Sequence, residues 1–546
     1  MNKKLQHITL VFFGIVLLNF VGGKIFKRFD LTQDKRYTLS AVSKKLINKI
    51  DNSLLIKVYL EGDFPSEFLR LQIETRQFLE ELQAKNSNIR IQFINPDNIR
   101  ERLIKQGMMP SQLTVEENGK LSEAIIFPWA EISYGEKVEL VSLLPNSMAA
   151  SQEEQLQNAI SSLEFSFANS LNTVTQNEQK KVAVLSGNGE LQDIKLYSLL
   201  TEIGKKYRLA KFTLDSVAKN PQKTLEGLSE FDLAIIAKPT ERFTAEEKLT
   251  LDQFITNGGK TLWMLDNVQA DTDSLYNAGE MLAYARDLNL TDLLFSYGVR
   301  INNRLVEDLY AAKIPLATGN VGNQPQFQNL DWFYHPLVGG NPNHPITKNI
   351  LPVRFQFTTQ IDTLKNNIKK TPLLMSSVLT KLIGVPKIIE LSSIANEPKQ
   401  EEYSNGNQLL AVLLEGEFSS AYKNRTKPYE IENFKSKSVK NQMIIISDGD
   451  LGKNQILKGK PYDLSIDKWT NQRFGNKDFL INAVDYLLDD SGLINLRNKS
   501  LQLNTLNKQK AYAEKSFWQF FNIVLPLLLL FGFGFGFGYY RKKKYS

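Results

Sequence analysis

Two aspartates close an apolar run in "QMIIISDGD" (residues 442–450), and "GNKDFLINAVDYLLDD" then adds Asn476, Asp478 and Asn482. Hard cations take carboxylate and carbonyl oxygens. The five oxygen-bearing side chains Asp448, Asp450, Asn476, Asp478 and Asn482 therefore have the chemistry to hold a divalent cation or a sugar. Their position agrees with this, because α/β sheets bind ligands at the carboxyl ends of their strands. Turns and helix caps use the same residue types. In that reading Asp448 and Asp450 form a turn, and Asn476 or Asp478 caps a helix.

A second group lies in "SGNGEL", where Gly187, Gly189 and Glu190 follow a strand-like run. Backbone amides there can hold an anion or simply make a tight strand-to-helix turn. Gln192 stands where the third glycine of a dinucleotide fold belongs. "NGGKT" (residues 257–261) contains Gly-Lys-Thr, but Phe254 occupies the first glycine position of a phosphate loop. It also lies between helix and strand, the reverse of the order such a loop needs. ATP binding there is rejected.

Cysteine is absent, and histidine occurs only as His7, His335 and His344. No disulfide, thiolate nucleophile or cysteine-based zinc site is possible. His335 and His344 each precede a proline and read as turn residues. No catalytic residue, metal or cofactor is assigned. A hydrolase working by carboxylates alone would need two acids facing each other across a cleft.

The elements that position these residues fall into two outer domains, since 546 residues are too many for one compact core. Over 51–145, "LLIKVYL" reads as a strand. Phe68, Leu71, Thr75, Phe78 and Leu82 then mark one buried helical face. "IRIQFINP" is a second strand, and a hairpin turns at Tyr134-Gly135-Glu136-Lys137. This order resembles the thioredoxin-like fold, with "EGDFPSEF" at the redox position and no CxxC. A helical link covers 146–178. From 179 to 500, "KVAVLSG", "FDLAIIAKP" and "KTLWMLD" alternate with helices, one opened by the capping-box pair Thr244 and Glu247. That alternation predicts a doubly wound parallel sheet.

Both ends of the chain read as membrane segments. "ITLVFFGIVLLNFVGG" lies within a predicted first span over 8–26, and juxtamembrane residues 27–50 follow, with Ser40 placed to cap a helix. A cleavable signal peptide is the rival reading, but no Ala-x-Ala-like site follows. After a second juxtamembrane segment, 501–516, residues 517–540 form an uncharged run. Trp518, Tyr539 and Tyr540 stand at its interfaces, and basic residues 541–544 flank it. Coiled as a helix, this run pairs Gly532 with Gly536 and Gly534 with Gly538, two small-residue faces suited to transmembrane packing. The basic flank places the C-terminus in the cytoplasm, and two spans place both termini there. The domains between them would face outward, into the periplasm.

Charge adds little. The net charge is +7, with 42% hydrophobic and 23% charged residues, as in ordinary globular material. No basic stripe with interleaved aromatics is present, so nucleic acid is not an expected partner.

The chain resembles the GldG family, the gliding-motility-associated ABC transporter accessory subunits of Bacteroidetes. The resemblance runs nearly end to end, through "DLTQDKRYTLS", "VYLEGDFPSEFLRL", "VAVLSGNGE", "SYGVRINNRLVED", "NHPITKNILPVRFQF", "LLAVLLEGEFSSAYKNR", "IISDGD" and "NKDFLINAVDYLL". Order and spacing together carry it. One departure stands out: the family often has Gly-His-Gly-Glu where this chain has Gly187-Asn188-Gly189-Glu190. The resemblance implies partnership with an ABC-2-type permease (GldF-like) and a cytoplasmic ATPase (GldA-like). It also implies a second domain like those of class I glutamine amidotransferases and intraflagellar transport proteins. Amidotransferase chemistry needs a cysteine, which this chain lacks. The expectation is a non-catalytic, inner-membrane subunit that presents its outer domains to cargo or transmits movement, with homodimer formation left open. The alternative is an outer glycan- or metal-binding receptor acting without a transporter.

Overall fold

The computed structural model describes residues 12–14, 38–62, 66–117, 120–144, 151–176, 178–321, 324–498 and 508–545. They belong to two units, Met1–Ser500 and Leu501–Ser546. The expected first span, 8–26, lies outside the described residues except for the helical 12–14. Residues 63–65 of the expected redox turn also lie outside them.

Ser40 caps helix α1 (Ala41–Ile47) by accepting from the Ser43 amide. Strand β1 (Leu54–Val58) follows, with alternate side chains buried as a strand requires. Helix α2 (Ser66–Lys85) carries the chain across to β2 (Ile89–Phe93), which lies parallel to β1. Its buried stripe includes Leu71, Thr75, Leu79 and Leu82. Strand β3 (Trp129–Tyr134) pairs antiparallel with β1 and turns through Gly135 into β4 (Lys137–Ser142). The resulting four-stranded sheet runs β2-β1-β3-β4.

The predicted link is one long helix, α3 (Gln152–Thr175), started by a Ser151–Glu154 capping box. Phe167 of α3 meets Phe78 of α2 with ring centroids 5.6 Å apart.

Seven strands make the large sheet: β5 (Lys181–Ser186), β6 (Arg208–Thr213), β7 (Leu233–Ala237), β8 (Lys260–Met264), β9 (Lys369–Met375), β10 (Leu409–Ser419) and β11 (Lys437–Ile446), in the order β9-β10-β11-β8-β7-β5-β6. Strands β6, β5, β7, β8 and β11 are parallel, and β10 runs against both of its neighbours. Helices α4 (Asp193–Gly204), α5 (Pro221–Ser229), α6 (Ala245–Thr256) and α7 (Asn476–Leu488) cover it. Leu196, Leu199, Phe479 and Leu487 pack on the face shown by Val182, Val184 and Ile235. Leu228, Leu249, Phe254 and Ile255 pack on the opposite face, against Ala183, Ile236 and Trp263. Every residue of β7 is consequently buried, as expected for a parallel strand covered on both sides.

A β-rich insertion separates β8 from β10 and returns to the sheet only as β9. It includes the strand Val299–Asp308 and a long ribbon, Ala311–Val321 paired with Gln324–Val338. Trp332, Tyr334 and Phe357 form much of its separate core.

In the second unit, α8 (Lys515–Tyr545) runs through Pro526 without ending. Among the described residues, Lys515–Lys544 is the one stretch long and apolar enough to cross a membrane, with a mean hydropathy of 2.1.

Candidate functional site

The carboxyl ends of β7, β8 and β11 each lead into a charged residue: Lys238 follows Ala237, Asp266 follows Leu265, and Asp448 follows Ser447. Parallel strands in adjacent positions bring these chain-distant residues together. The Lys238 ammonium pairs with Asp450 and lies 3.3 Å from Asp266. Asp266 accepts from the Gly449 amide at 2.6 Å. Asp448 accepts from the Asp450 amide at 2.7 Å and the Gln356 amide at 2.6 Å. A Cβ on Gly449 would stand 2.6 Å from Lys238 Cγ, which explains glycine between the two aspartates.

Lys238 has a left-handed backbone, φ +53°, unusual for a residue with a side chain. Its amide donates to Met264 at 2.9 Å, while its side chain holds the two acids. Lys453 adds a second cation, 3.4 Å from Asp450 Oδ1 and 3.3 Å from Asp271.

Burial dominates the electrostatics here. It pushes the Asp448 carboxyl well above the usual range, helped by the charges of Asp266 and Asp450. Burial also raises Asp266, against the pull of Lys238. For Asp450 burial acts in the same direction but loses to Lys238 and Lys453, which hold it at about 2. Lys238 is raised, because Asp450 and Asp266 together overcome the burial of its ammonium. The cluster is a buried ion network, in which Asp450 Oδ1 has the Lys453 charge nearby but no hydrogen-bond partner among the described residues.

The insertion forms its roof. Besides the Gln356 contact, the Thr358 hydroxyl donates to the Ser447 carbonyl at 2.8 Å. Arg354 pairs with Asp467 at 2.7 Å and lies 4.8 Å above the Phe474 ring. His335 is buried beside Thr272, 3.2 Å from its hydroxyl. Burial, with Arg354 nearby, lowers its pKa to about 3 and keeps the ring neutral. The crevice where α/β folds usually bind ligands is thus filled by the chain's own side chains.

The structure brings Asp448 and Asp450 together with Lys238, and it places Asn476 at the margin of this cluster. Asn476 clasps Arg354, accepting from its amide and donating to its carbonyl, both at 2.8 Å. Gly475, rather than Asn476 or Asp478, occupies the N-cap position of α7, with no side-chain cap. Asp478 is exposed. Asn482 lies farther along α7 and donates to the Ile346 carbonyl at 2.9 Å. The five side chains are therefore not one constellation.

At Gly187–Glu190 the Asn188 amide donates to Glu190 Oε2 at 2.8 Å, so the chain's own carboxylate engages the loop. The amides of Thr240 and Glu241 both donate to the Asn188 carbonyl at 2.9 Å. Gly189 has φ +72°, and a Cβ there would lie 2.1 Å from Thr240 Oγ1. At Gly187, φ +122°, a Cβ would lie 2.7 Å from Asp215 Oδ1. Burial raises the Glu190 carboxyl.

Lys238, Asp266, Lys453 and Arg354 escaped the sequence reading. A signal was available for the first two: a charged residue at or just past the end of an apolar strand. Lys453 and Arg354 had none.

An open cavity of about 790 Å³ lies at the other end of the sheet. Lys369–Glu415, Lys437–Glu417 and Lys260–Asp490 pairs border it, with Asn366 and Asn441 between them. Burial opposes the Glu415 charge, but Lys369 holds its carboxyl below the ordinary value. Among the described residues, no group of three or more histidines and acids is arranged to hold a metal ion.

Comparison with known proteins places this geometry in context. The model of the family described as "ABC-type uncharacterized transport system" matches residues 179–483. A "Domain of unknown function (DUF7088)" matches residues 33–133. An uncharacterized protein of Borreliella burgdorferi is 24% identical over 433 residues, covering 77% of this chain and 78% of its own length. Among solved structures, the mmIFT52 N-terminal domain is 14% identical with a TM-score of 0.32, covering 57% of this chain and 99% of that domain. A protein described as ThuA-like, from Parabacteroides merdae, is 12% identical with a TM-score of 0.24, covering 56% and 99%.

Proposed function

The chain belongs to the ABC-type uncharacterized transport system family, and from that premise we propose that it is a non-catalytic, membrane-anchored accessory subunit of an ABC transporter. The observation that carries the non-catalytic part is the sealed carboxyl edge. Its acids and lysines answer one another, so no nucleophile or base there faces a substrate.

In this reading α8 anchors the chain. Among the described residues, no atom lies within 4 Å of a Cβ built at Gly532, Gly534, Gly536 or Gly538, which supports two glycine faces that take a partner helix. That partner is an ABC-2-type permease, and ATP is hydrolysed by a separate cytoplasmic subunit. The first and last spans leave both termini in the cytoplasm and the folded unit in the periplasm. A thioredoxin-like part and an amidotransferase-like part then receive cargo or pass on movement, and gliding motility is the process served.

A pull-down of the full-length chain from its native membrane in mild detergent tests this. Mass spectrometry is expected to find a multi-span permease and an ATPase. Replacing the four glycines with leucine should reduce their recovery. Recovery of the chain alone, or equal recovery with the leucine variant, would contradict the assembly or the interface respectively.

One observation favours a second reading. The 790 Å³ cavity is lined by amides and by ion pairs that neutralise each other, which suits an uncharged polar ligand such as a glycan. Calorimetry with cell-envelope sugars and with calcium separates the two readings, and no heat from either ligand removes the second.

A further inference from the structure

Segments near the start and the end of the first unit meet on α3. Helix α1 and the turn Leu493–Asn498 share a cluster of Leu46, Ala168, Leu493 and Leu496. The Ser40 amide and the Ser43 hydroxyl each donate to Glu164 Oε1 at 2.7 Å, fastening α1 to α3. Beside this junction a cleft of about 430 Å³ opens, bounded also by the end of α7. Val42, Leu46, Phe165, Leu488 and Leu493 give it an apolar floor.

The acids lining the cleft are all engaged. Asp485 takes Lys206 and the Tyr207 hydroxyl, each at 2.9 Å. Asp489 accepts from the Ser491 amide at 2.9 Å and the Ile494 amide at 2.7 Å. Asp490 holds Lys180 and Lys260.

The cations are not all answered. Lys45 and Lys49 line the cleft, are exposed, and have no carboxylate partner among the described residues. Acids that are already engaged, and two unanswered lysines above an apolar floor, call for an anion that carries hydrocarbon.

We propose that this cleft binds the headgroup of an anionic phospholipid, with Lys45 and Lys49 on the phosphate and Val42 and Phe165 against the adjoining acyl carbons. Lysine serves phosphate as a point charge, and basic residues near a bilayer draw anionic lipid. Free phosphate would satisfy the lysines but leave the floor wet. The inference needs the chain to be at a membrane and requires nothing of a transport partner.

Native mass spectrometry of the full-length chain in detergent, with phosphatidylglycerol or phosphatidylcholine added, tests it. Two variants accompany the wild type: Lys45→Gln/Lys49→Gln removes the charge, and Val42→Trp fills the cleft without changing it. All share α8, so lipid held there cancels in the comparison. Thermal midpoints are measured first, so that only folded variants are compared. Retention of phosphatidylglycerol should fall on the order of 30-fold in the lysine variant, fall clearly in the tryptophan variant, and stay flat for phosphatidylcholine in all three. Equal phosphatidylglycerol retention would overturn the proposal. So would loss in the lysine variant alone, which would mark a diffuse charge effect. Displacement of the lipid by excess inorganic phosphate would assign the cleft to free phosphate and equally overturn it.

Discussion

At the carboxyl ends of the parallel strands, Lys238, Asp266, Asp448 and Asp450 are buried beneath the β-rich insertion. At the amino ends, Lys369, Lys437, Glu415 and Glu417 border an open cavity. Both groups are ion pairs, but their physics differs. Buried charges are costly to leave alone and are little affected by salt, whereas exposed pairs are weak and screened. The difference teaches that the customary ligand end of the sheet is filled by buried ion pairs, while the opposite end stays open.

The sharpest way to break that comparison is Lys238→Ala. It leaves Asp266 and Asp450 without their cation, and removing one partner of a buried pair costs about 3–5 kcal/mol. Lys440→Ala, an exposed change at the amino end, should cost under about 0.5 kcal/mol. Chemical denaturation of the detergent-solubilised chain measures both. Similar values would mean that the carboxyl edge is not sealed.

His335 adds a test by pH. Its folded pKa, about 3, lies below the unfolded value near 6.5, so the unfolded chain binds the extra proton between them. The stability it contributes is complete above about pH 6.5 and is lost as pH falls toward about 3, on the order of 3 kcal/mol by pH 4. The thermal midpoint should drop over that range, and His335→Gln should flatten the drop. An unchanged slope would show that water reaches the ring.

Backbone substitution sharpens the contrast further. Gly189→Ala meets both positive φ and Thr240 and should cost more than the roughly 1–2 kcal/mol of left-handed strain alone. Gly258→Ala, at the amino end, has positive φ but no atom nearer than 3.9 Å, so strain alone should appear. Equal losses would imply that the carboxyl-edge loop yields easily.

Lys437→Ala, like Lys440→Ala, has a small effect. Breaking its exposed pair with Glu417 should cost little, and only at low salt. The loss should vanish in roughly 1 M salt, where the Debye length is near 3 Å. A Lys238→Ala penalty that vanished likewise would place both networks in water.

Much of the framework was legible in the chain. The apolar runs of β5, β7, β8 and β11, the Ser40 cap, the Thr244–Glu247 capping box and the turn at Gly135 all express local rules of burial and backbone geometry. The insertion was not legible. Val299–Asp308 carries the polar sequence "INNR" in its middle, because its pairing with Thr359–Thr363 and Thr380–Gly384 decides which positions are covered. The candidate site was half legible: Asp448 and Asp450 stood out, while their cation did not.

Sequence by itself determined the absence of thiol chemistry, the composition of α8 and the alternation of strands with helices. These depend on residue types and short-range periodicity, which no distant contact alters. Only the tertiary structure decided that Lys238 reaches Asp450, 212 residues away, and that Gln356 closes over Asp448. Charge pairing depends on which strand ends become neighbours. Strand order is set by the packing of the whole sheet, so a carboxylate that looks free in the chain is buried and neutralised in the fold.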